Sequence, residues 1–128
     1  KSKLQTQIAL STTEAEFMAL SAALRETIPL MELVKELQRN GHDFTATKLT
    51  VHCRVFEDNS GTIELAQVPK MRSRTKFINV QYHHFRQYVD RKEISSLQID
   101  TEDQCADILT KSVSLVKFTK LRFKIMGW

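Results

Sequence analysis

The order of elements legible in the sequence predicts an α/β fold, a sheet flanked by helices. Three observations carry that reading. An alternating stretch around Leu4–Leu10 runs into a long helical period. A second, at Leu49–Phe56, runs into a short one, and a third, Glu93 to Ile99, is again followed by helical spacing. Strand, long helix, strand, helices, strand, helix is an order that needs crossover connections. The 128 residues suffice for one domain, with no repeat, low-complexity tract or linker.

Composition excludes several classes. At 41% hydrophobic and 27% charged residues the chain has the makings of a packed core. No apolar run reaches the roughly 18 residues of a membrane span. Residues Lys1-Ser2-Lys3-Leu4-Gln5 lack the apolar centre of a signal peptide. Cys53 and Cys105 are too few and too scattered for a disulfide framework or a Cys-x-x-Cys zinc site, so an intracellular, reduced setting is expected. Net charge is +4 and unevenly spread. Lys70 to Lys92 holds seven basic residues (Lys70, Arg72, Arg74, Lys76, Arg86, Arg91, Lys92) against Asp90 alone. Lys111 to Trp128 holds five (Lys111, Lys117, Lys120, Arg122, Lys124) and no acid. Such segments neutralise phosphates or simply keep a surface soluble.

Each element has a local reason. Leu4, Thr6, Ile8 and Leu10 alternate with Gln5, Gln7 and Ala9 as in a half-buried strand. Ser11 to Thr13 open a helix that should stop near Asn40-Gly41, with Leu20, Ala23, Leu24, Met31 and Val34 at helical spacing and Pro29 expected to kink or interrupt it. Beyond a loop, Val51, Cys53 and Val55 share one face of a strand. Asn59-Ser60-Gly61 turns into a short helix ending before Pro69. Residues 69–76 lack periodicity and form a basic loop. Phe77 to Lys92 is helical, with an aromatic-rich face, and core packing is the expected fate of Tyr82 and Phe85. Thr101 opens another helix with a Thr101-x-x-Gln104 capping box, and Leu115 to Met126 is a basic amphipathic helix.

Three carboxylates stand where chemistry is favoured, each with an ordinary alternative. Ser11-x-x-Glu14 is a capping box, although Glu16 has the same relation to Thr13. Glu16 shares a face with Leu20, Ala23 and Thr27, where a carboxylate must be neutralised or coordinated. Asp58 follows a strand, at the carboxyl end where ligands collect in open α/β sheets. It also fits an N-cap for the following helix. Glu57 beside it suits an exposed strand end. Asp107, some six residues into its helix, shares a face with Asp103, Thr110 and Lys111 and suits solvent as well as a ligand role. His52-Cys53 and His83-His84 make no zinc site, because adjacent helical side chains diverge by about 100°. Trp128 has no assignable role.

Jointly the segments are more specific. Ile8-Ala-Leu-Ser-Thr-Thr-Glu-Ala-Glu-Phe-Met-Ala-Leu20, Phe56-Glu-Asp-Asn-Ser-Gly61, Arg74-Thr-Lys-Phe-Ile-Asn-Val-Gln-Tyr-His-His-Phe-Arg86 and Thr101-Glu-Asp-Gln-Cys-Ala-Asp-Ile-Leu-Thr-Lys111 occur in an order and spacing that resemble the ribonuclease H domain of copia-type LTR-retrotransposon polyproteins. The resemblance implies an RNase H-like mixed sheet flanked by helices. Residues 1–128 would form a single partial domain starting near its third strand and lacking the first strands. It also implies hydrolysis of the RNA strand of RNA–DNA hybrids during reverse transcription, with Glu16, Asp58 and Asp107 as catalytic, metal-binding carboxylates. Their cofactor would be a pair of Mg²⁺ ions about 4 Å apart, or Mn²⁺ in their place. The family's leading aspartate would lie upstream of Lys1, which makes the isolated chain a truncated nuclease.

Lys70, Arg72, Arg74, Lys76, Lys120, Arg122 and Lys124 are the expected nucleic-acid contacts. Implied partners are the hybrid and the reverse transcriptase and integrase regions of the same polyprotein, without a membrane. The setting would be a cytoplasmic virus-like particle or the nucleus. The chain departs from the family at Phe77 and Asn79, where His and Asp are usual, at Ser112, where Pro is common, and in having no His after His84. The alternative reading is a catalytically inactive nucleic-acid-binding remnant or host-adopted fragment. A transposase-like DNA cutter is a weaker third.

Overall fold

A computed structural model describes residues 8–42, 50–67 and 83–128. The strand expected from Leu4, the start of that at Leu49, the basic loop 69–76 and the segment 77–82 therefore lie wholly or partly outside the described residues. The elements in order are α1 (Thr12–Arg39), β1 (Cys53–Glu57), α2 (Ser60–Gln67), α3 (Arg86–Asp90), β2 (Ile94–Gln98), α4 (Asp107–Thr110) and α5 (Leu115–Met126).

The capping box starts α1. Ser11 Oγ accepts from the Glu14 amide at 3.1 Å, and Glu14 Oε2 accepts from the Leu10 amide at 2.8 Å, one residue before the cap. At the other end Gly41 adopts a left-handed φ of +81°. The His42 amide returns to Leu37 O and the Gly41 amide to Gln38 O, so carbonyls left open by the last turn are satisfied. Pro29 does not interrupt α1, which stays helical from end to end. It sits on the exposed side, where water can serve the carbonyl that a proline ring leaves without a donor.

Among the described residues the sheet consists of β1 and β2, paired in parallel from Cys53 with Ile94 to Glu57 with Gln98. A parallel pair cannot be closed by a hairpin, and α2 and α3 belong to the crossover between the strands. Val51, Cys53 and Val55 face the core as their alternation predicts, while His52, Arg54 and Phe56 are exposed.

The core lies between α1 and this crossover. Phe17, Leu20, Leu24, Ile28 and Met31 of α1 meet Ala66, Phe85 and Ile94. The buried stripe takes in Phe17 and Ile28 and leaves Ala23 exposed, a rotation from the residues singled out by spacing. The Phe17 ring packs 5.8 Å from Phe85 and 5.2 Å from His83, centroid to centroid. Lys35 ties the far half of α1 to the entry of β2, bonding Glu93 at 2.5 Å and Glu32 at 2.8 Å.

The helix expected from Thr101 is broken in two. A 3-10 turn spans Thr101–Asp103, capped by the Asp100 side chain on the Glu102 amide at 2.9 Å, and α4 begins afresh at Asp107. Gln104 is therefore no capping-box partner. Its amide nitrogen donates to the Phe56 carbonyl at 3.3 Å, and its amide oxygen accepts from the Ala106 amide. By contrast α5 has the bounds its sequence predicts, with Ser114 capping the Lys117 amide and Gly127 closing it at φ +78°.

Phe17→Ala should destabilise the fold by about 3–5 kcal/mol, the cost of emptying a fully buried aromatic site. Urea unfolding followed by far-UV circular dichroism measures it, and a loss below about 1 kcal/mol would contradict the central place given to that ring.

Candidate metal centre

Three carboxylates converge where β1 ends. Glu16 comes from the second turn of α1, Glu57 is the last residue of β1, and Asp58 begins the turn into α2. One oxygen from each lies within 4.8 Å of the others, and all three residues are half-buried. Such a group can coordinate a metal ion.

The turn that assembles it is built on Asn59. Its side-chain oxygen accepts from the Gly61 amide at 2.9 Å and the Thr62 amide at 3.3 Å, which caps α2. Asn59, and not Asp58, holds the capping role, so the Asp58 carboxylate is left to the cluster. The Asn59 amide nitrogen donates to Glu16 Oε2 and, at 3.4 Å, to Thr13 Oγ1. The Thr62 hydroxyl adds contacts to the Thr13 carbonyl and Glu16. At Gly61 the helix comes close to α1: a Cβ there would stand 3.0 Å from Thr13 Cγ2 and 3.1 Å from Asn59 Oδ1, tighter than ordinary van der Waals contact.

Glu14 and Glu16 divide their roles by the partners they meet. The apolar contrast between their faces does not separate them, since Met18 and Ser21 on the Glu14 side are buried too. Glu57 corrects the expectation of an exposed strand end. Burial pushes its carboxyl up, the Asn59 amide at 3.2 Å opposes this, and the charges of Glu16 and Asp58 push it up further. Its sequence gave no sign of this, because a Glu at the end of a strand is ordinarily solvated.

Asp107 is not a solvent-face residue. It is 3% exposed at the first position of α4. Burial pushes its carboxyl up, but hydrogen bonds from Lys111 and Lys117, with their charges, bring it below the ordinary value. Lys111 bonds Oδ1 at 2.8 Å and Lys117 bonds Oδ2 at 3.0 Å. Asp107 stands outside the three-carboxylate group. The Lys111 ammonium is held protonated first by the bond to Asp107, against the cost of burial, and then by the charges of Asp107, Asp58 and Glu16.

Of the expected phosphate contacts, Lys70, Arg72, Arg74 and Lys76 lie outside the described residues. Lys120 and Lys124 each bond Asp103 Oδ1 at 2.6 Å. The Arg122 guanidinium lies 5.8 Å from the centre of the Trp128 ring, a contact that gives the terminal aromatic a packing role. The basic side of α5 thus faces acids of its own chain, while Leu115, Val116 and Phe123 are exposed.

This pairing has a pH signature. Hydrogen bonds from Lys120 and Lys124 lower the Asp103 carboxyl from 3.8 to about 2. A carboxyl lowered by folding contributes stability that is complete above its unfolded value and lost as pH falls through the folded one. Asp103→Asn should therefore lower the melting temperature near neutrality and flatten its decline between pH 3.8 and about 2. An unchanged acid limb in melting curves would show that the pairs do not hold α5.

Three relatives carry the comparison with known proteins. The chain is 37% identical over 118 residues to the "Retrovirus-related Pol polyprotein from transposon TNT 1-94" of Nicotiana tabacum, covering 92% of the chain and 8% of the relative. It is 32% identical over 124 residues to those from transposons RE1 and RE2 of Arabidopsis thaliana, covering 97% of the chain and 8% of each relative. No protein-family profile matches the chain. No solved structure matches it either. Over nearly its whole length, the chain is homologous to a short segment of retrotransposon Pol polyproteins.

Proposed function

We propose that the chain is the part of a copia-type ribonuclease H domain that follows its opening strands, and that within a polyprotein it hydrolyses the RNA strand of RNA–DNA hybrids. The observation that carries this reading is the convergence of Glu16, Glu57 and Asp58 at the end of a parallel strand, in a chain homologous to Pol polyproteins. The donor set fits Mg²⁺, a hard cation that prefers oxygen ligands and keeps several waters.

In this mechanism Glu16 and Asp58 hold the metal, with Glu57 beside them and Asp107 completing the site. A bound pair of divalent ions supplies an activated water and stabilises the leaving oxygen of an in-line displacement. The chain's own contribution is positioning. Asn59 fixes the Glu16 carboxylate against the turn, and Lys117 fixes one oxygen of Asp107. Lys70, Arg72, Arg74 and Lys76 grip phosphates without reading bases, and Lys120, Arg122 and Lys124 extend that rim once hybrid phosphates compete with Asp103. The leading aspartate comes from the polyprotein segment upstream. The reverse transcriptase and integrase regions are its neighbours there, and the reaction takes place in a cytoplasmic virus-like particle or the nucleus. Among the described residues, no helix is long and apolar enough to cross a membrane.

The test joins the upstream polyprotein segment to the chain and follows cleavage of a labelled RNA–DNA hybrid in Mg²⁺. Asp58→Asn and Glu16→Gln should each lower the rate at least about a hundredfold, the scale expected when a group stabilising the transition state is lost. Glu14→Gln should keep most activity, because that residue caps α1. The 128-residue chain alone should cleave negligibly. Full activity in Asp58→Asn would end the metal-centre reading. Hybrid binding without cleavage in the joined protein would favour the inactive remnant.

A further inference from the structure

We propose that Lys111 is a displaceable counter-ion of this centre, holding the Asp107 carboxylate until a divalent cation enters and then giving way, while Lys117 stays and fixes the orientation of Asp107. The inference rests on the metal-centre reading and adds a role that the reading does not contain.

Both oxygens of the Asp107 carboxylate are occupied. Lys111 takes Oδ1 at 2.8 Å, and Lys117 takes Oδ2 at 3.0 Å. A buried carboxylate held by two ammonium groups is electrically satisfied without a metal. Each oxygen keeps a lone pair for a metal, but a dication added beside two ammonium groups crowds positive charge and favours release of the more loosely held lysine.

The surroundings decide which one. The Lys117 side chain is 11% exposed and bonds the Thr101 carbonyl at 2.7 Å as well, with Glu102 at 3.8 Å. Moving it would strip the buried Asp107 carboxylate of its more enclosed partner and the Thr101 carbonyl of the shorter of its two hydrogen bonds, the other coming from the Gln104 amide at 3.4 Å. The Lys111 side chain is 52% exposed, and Asp107 is its ion-pair partner among the described residues. Its flexible four-carbon stem can swing the ammonium into water at little cost. Asp58 and Glu16 also act on it through space, so a dication among those carboxylates would repel it.

The sign follows. Without the Lys111 charge, Asp107 keeps its Lys117 anchor, the field of the carboxylates is less cancelled, and a divalent cation binds more tightly. Without Lys117, Asp107 loses its orientation and binding weakens. Arg at 111 can hold a carboxylate with two N–H groups and should not ease entry.

The experiment titrates the 128-residue chain with Mn²⁺ and reads the free ion by electron paramagnetic resonance. Lys111→Met should tighten the dissociation constant by about two- to fivefold, the size expected for a pair partly screened by solvent. Lys111→Arg should bind no more tightly than the parent, and Lys117→Met more weakly. Asp58→Asn, in parallel, should bind far more weakly than the parent. Lys111→Met binding as the parent does, or more weakly, while Asp58→Asn loses the ion, overturns the role of Lys111 and leaves the metal centre standing. A parent that binds no Mn²⁺, or binds it regardless of Asp58, overturns the metal-centre reading and this inference with it. Because Lys111 is half exposed, its variants do not depend on surviving a core substitution, as Lys117→Met does.

Discussion

The site depends on the side chain of Asn59. A single amide caps α2 through its oxygen and holds Glu16 and Thr13 through its nitrogen. It thereby joins the first turns of α1, the end of β1 and the start of α2, and the three carboxylates are brought together by that joint. Gly61 permits the close approach of α2 to Thr13. Half-burial then follows from packing, and the raised Glu57 carboxyl follows from half-burial beside two acids. Like charges placed this close oppose folding unless something offsets them, and a divalent cation does so.

On the far side of the centre the charges run the other way. Lysines of α5 pair with Asp103 and Asp107, and these ion pairs add to the burial of Leu121 in holding the basic helix. A basic stretch that looks like a phosphate grip in sequence is partly spent on the chain's own acids. The Lys117–Asp107 pair connects α5 to α4, and Lys111 on the same carboxylate feels the charges of Asp58 and Glu16 through space.

Local rules made much of this legible. The Ser11–Glu14 box, the Gly41 stop, the alternation of Val51, Cys53 and Val55 and the bounds of α5 each depend on neighbours within a few residues, and each is found in the structure. The misses are long-range. Nothing near Asp107 in sequence announces Lys117, so a buried, doubly paired aspartate read as a solvent-face one. Glu57 read as exposed because the elements that bury it are folded against it from elsewhere. Asp58 suited the N-cap on paper, and the geometry of the turn gives the cap to Asn59. Pro29 was expected to disturb α1, yet an exposed proline in a long, well-packed helix leaves it unbroken. A two-stranded parallel pair is the described portion of a sheet that the resemblance implies to be larger and mixed.

The central claim is that the carboxylates at the end of β1 form a metal centre. Its most direct test is anomalous diffraction from crystals of the chain soaked in Mn²⁺. The account predicts a peak in the space between Glu16 and Asp58, ligated by their oxygens at roughly the 2.0–2.1 Å of octahedral Mg²⁺ sites, with Glu57 alongside. A peak elsewhere on the molecule, or none at a Mn²⁺ concentration that saturates other oxygen-ligand sites, would contradict it.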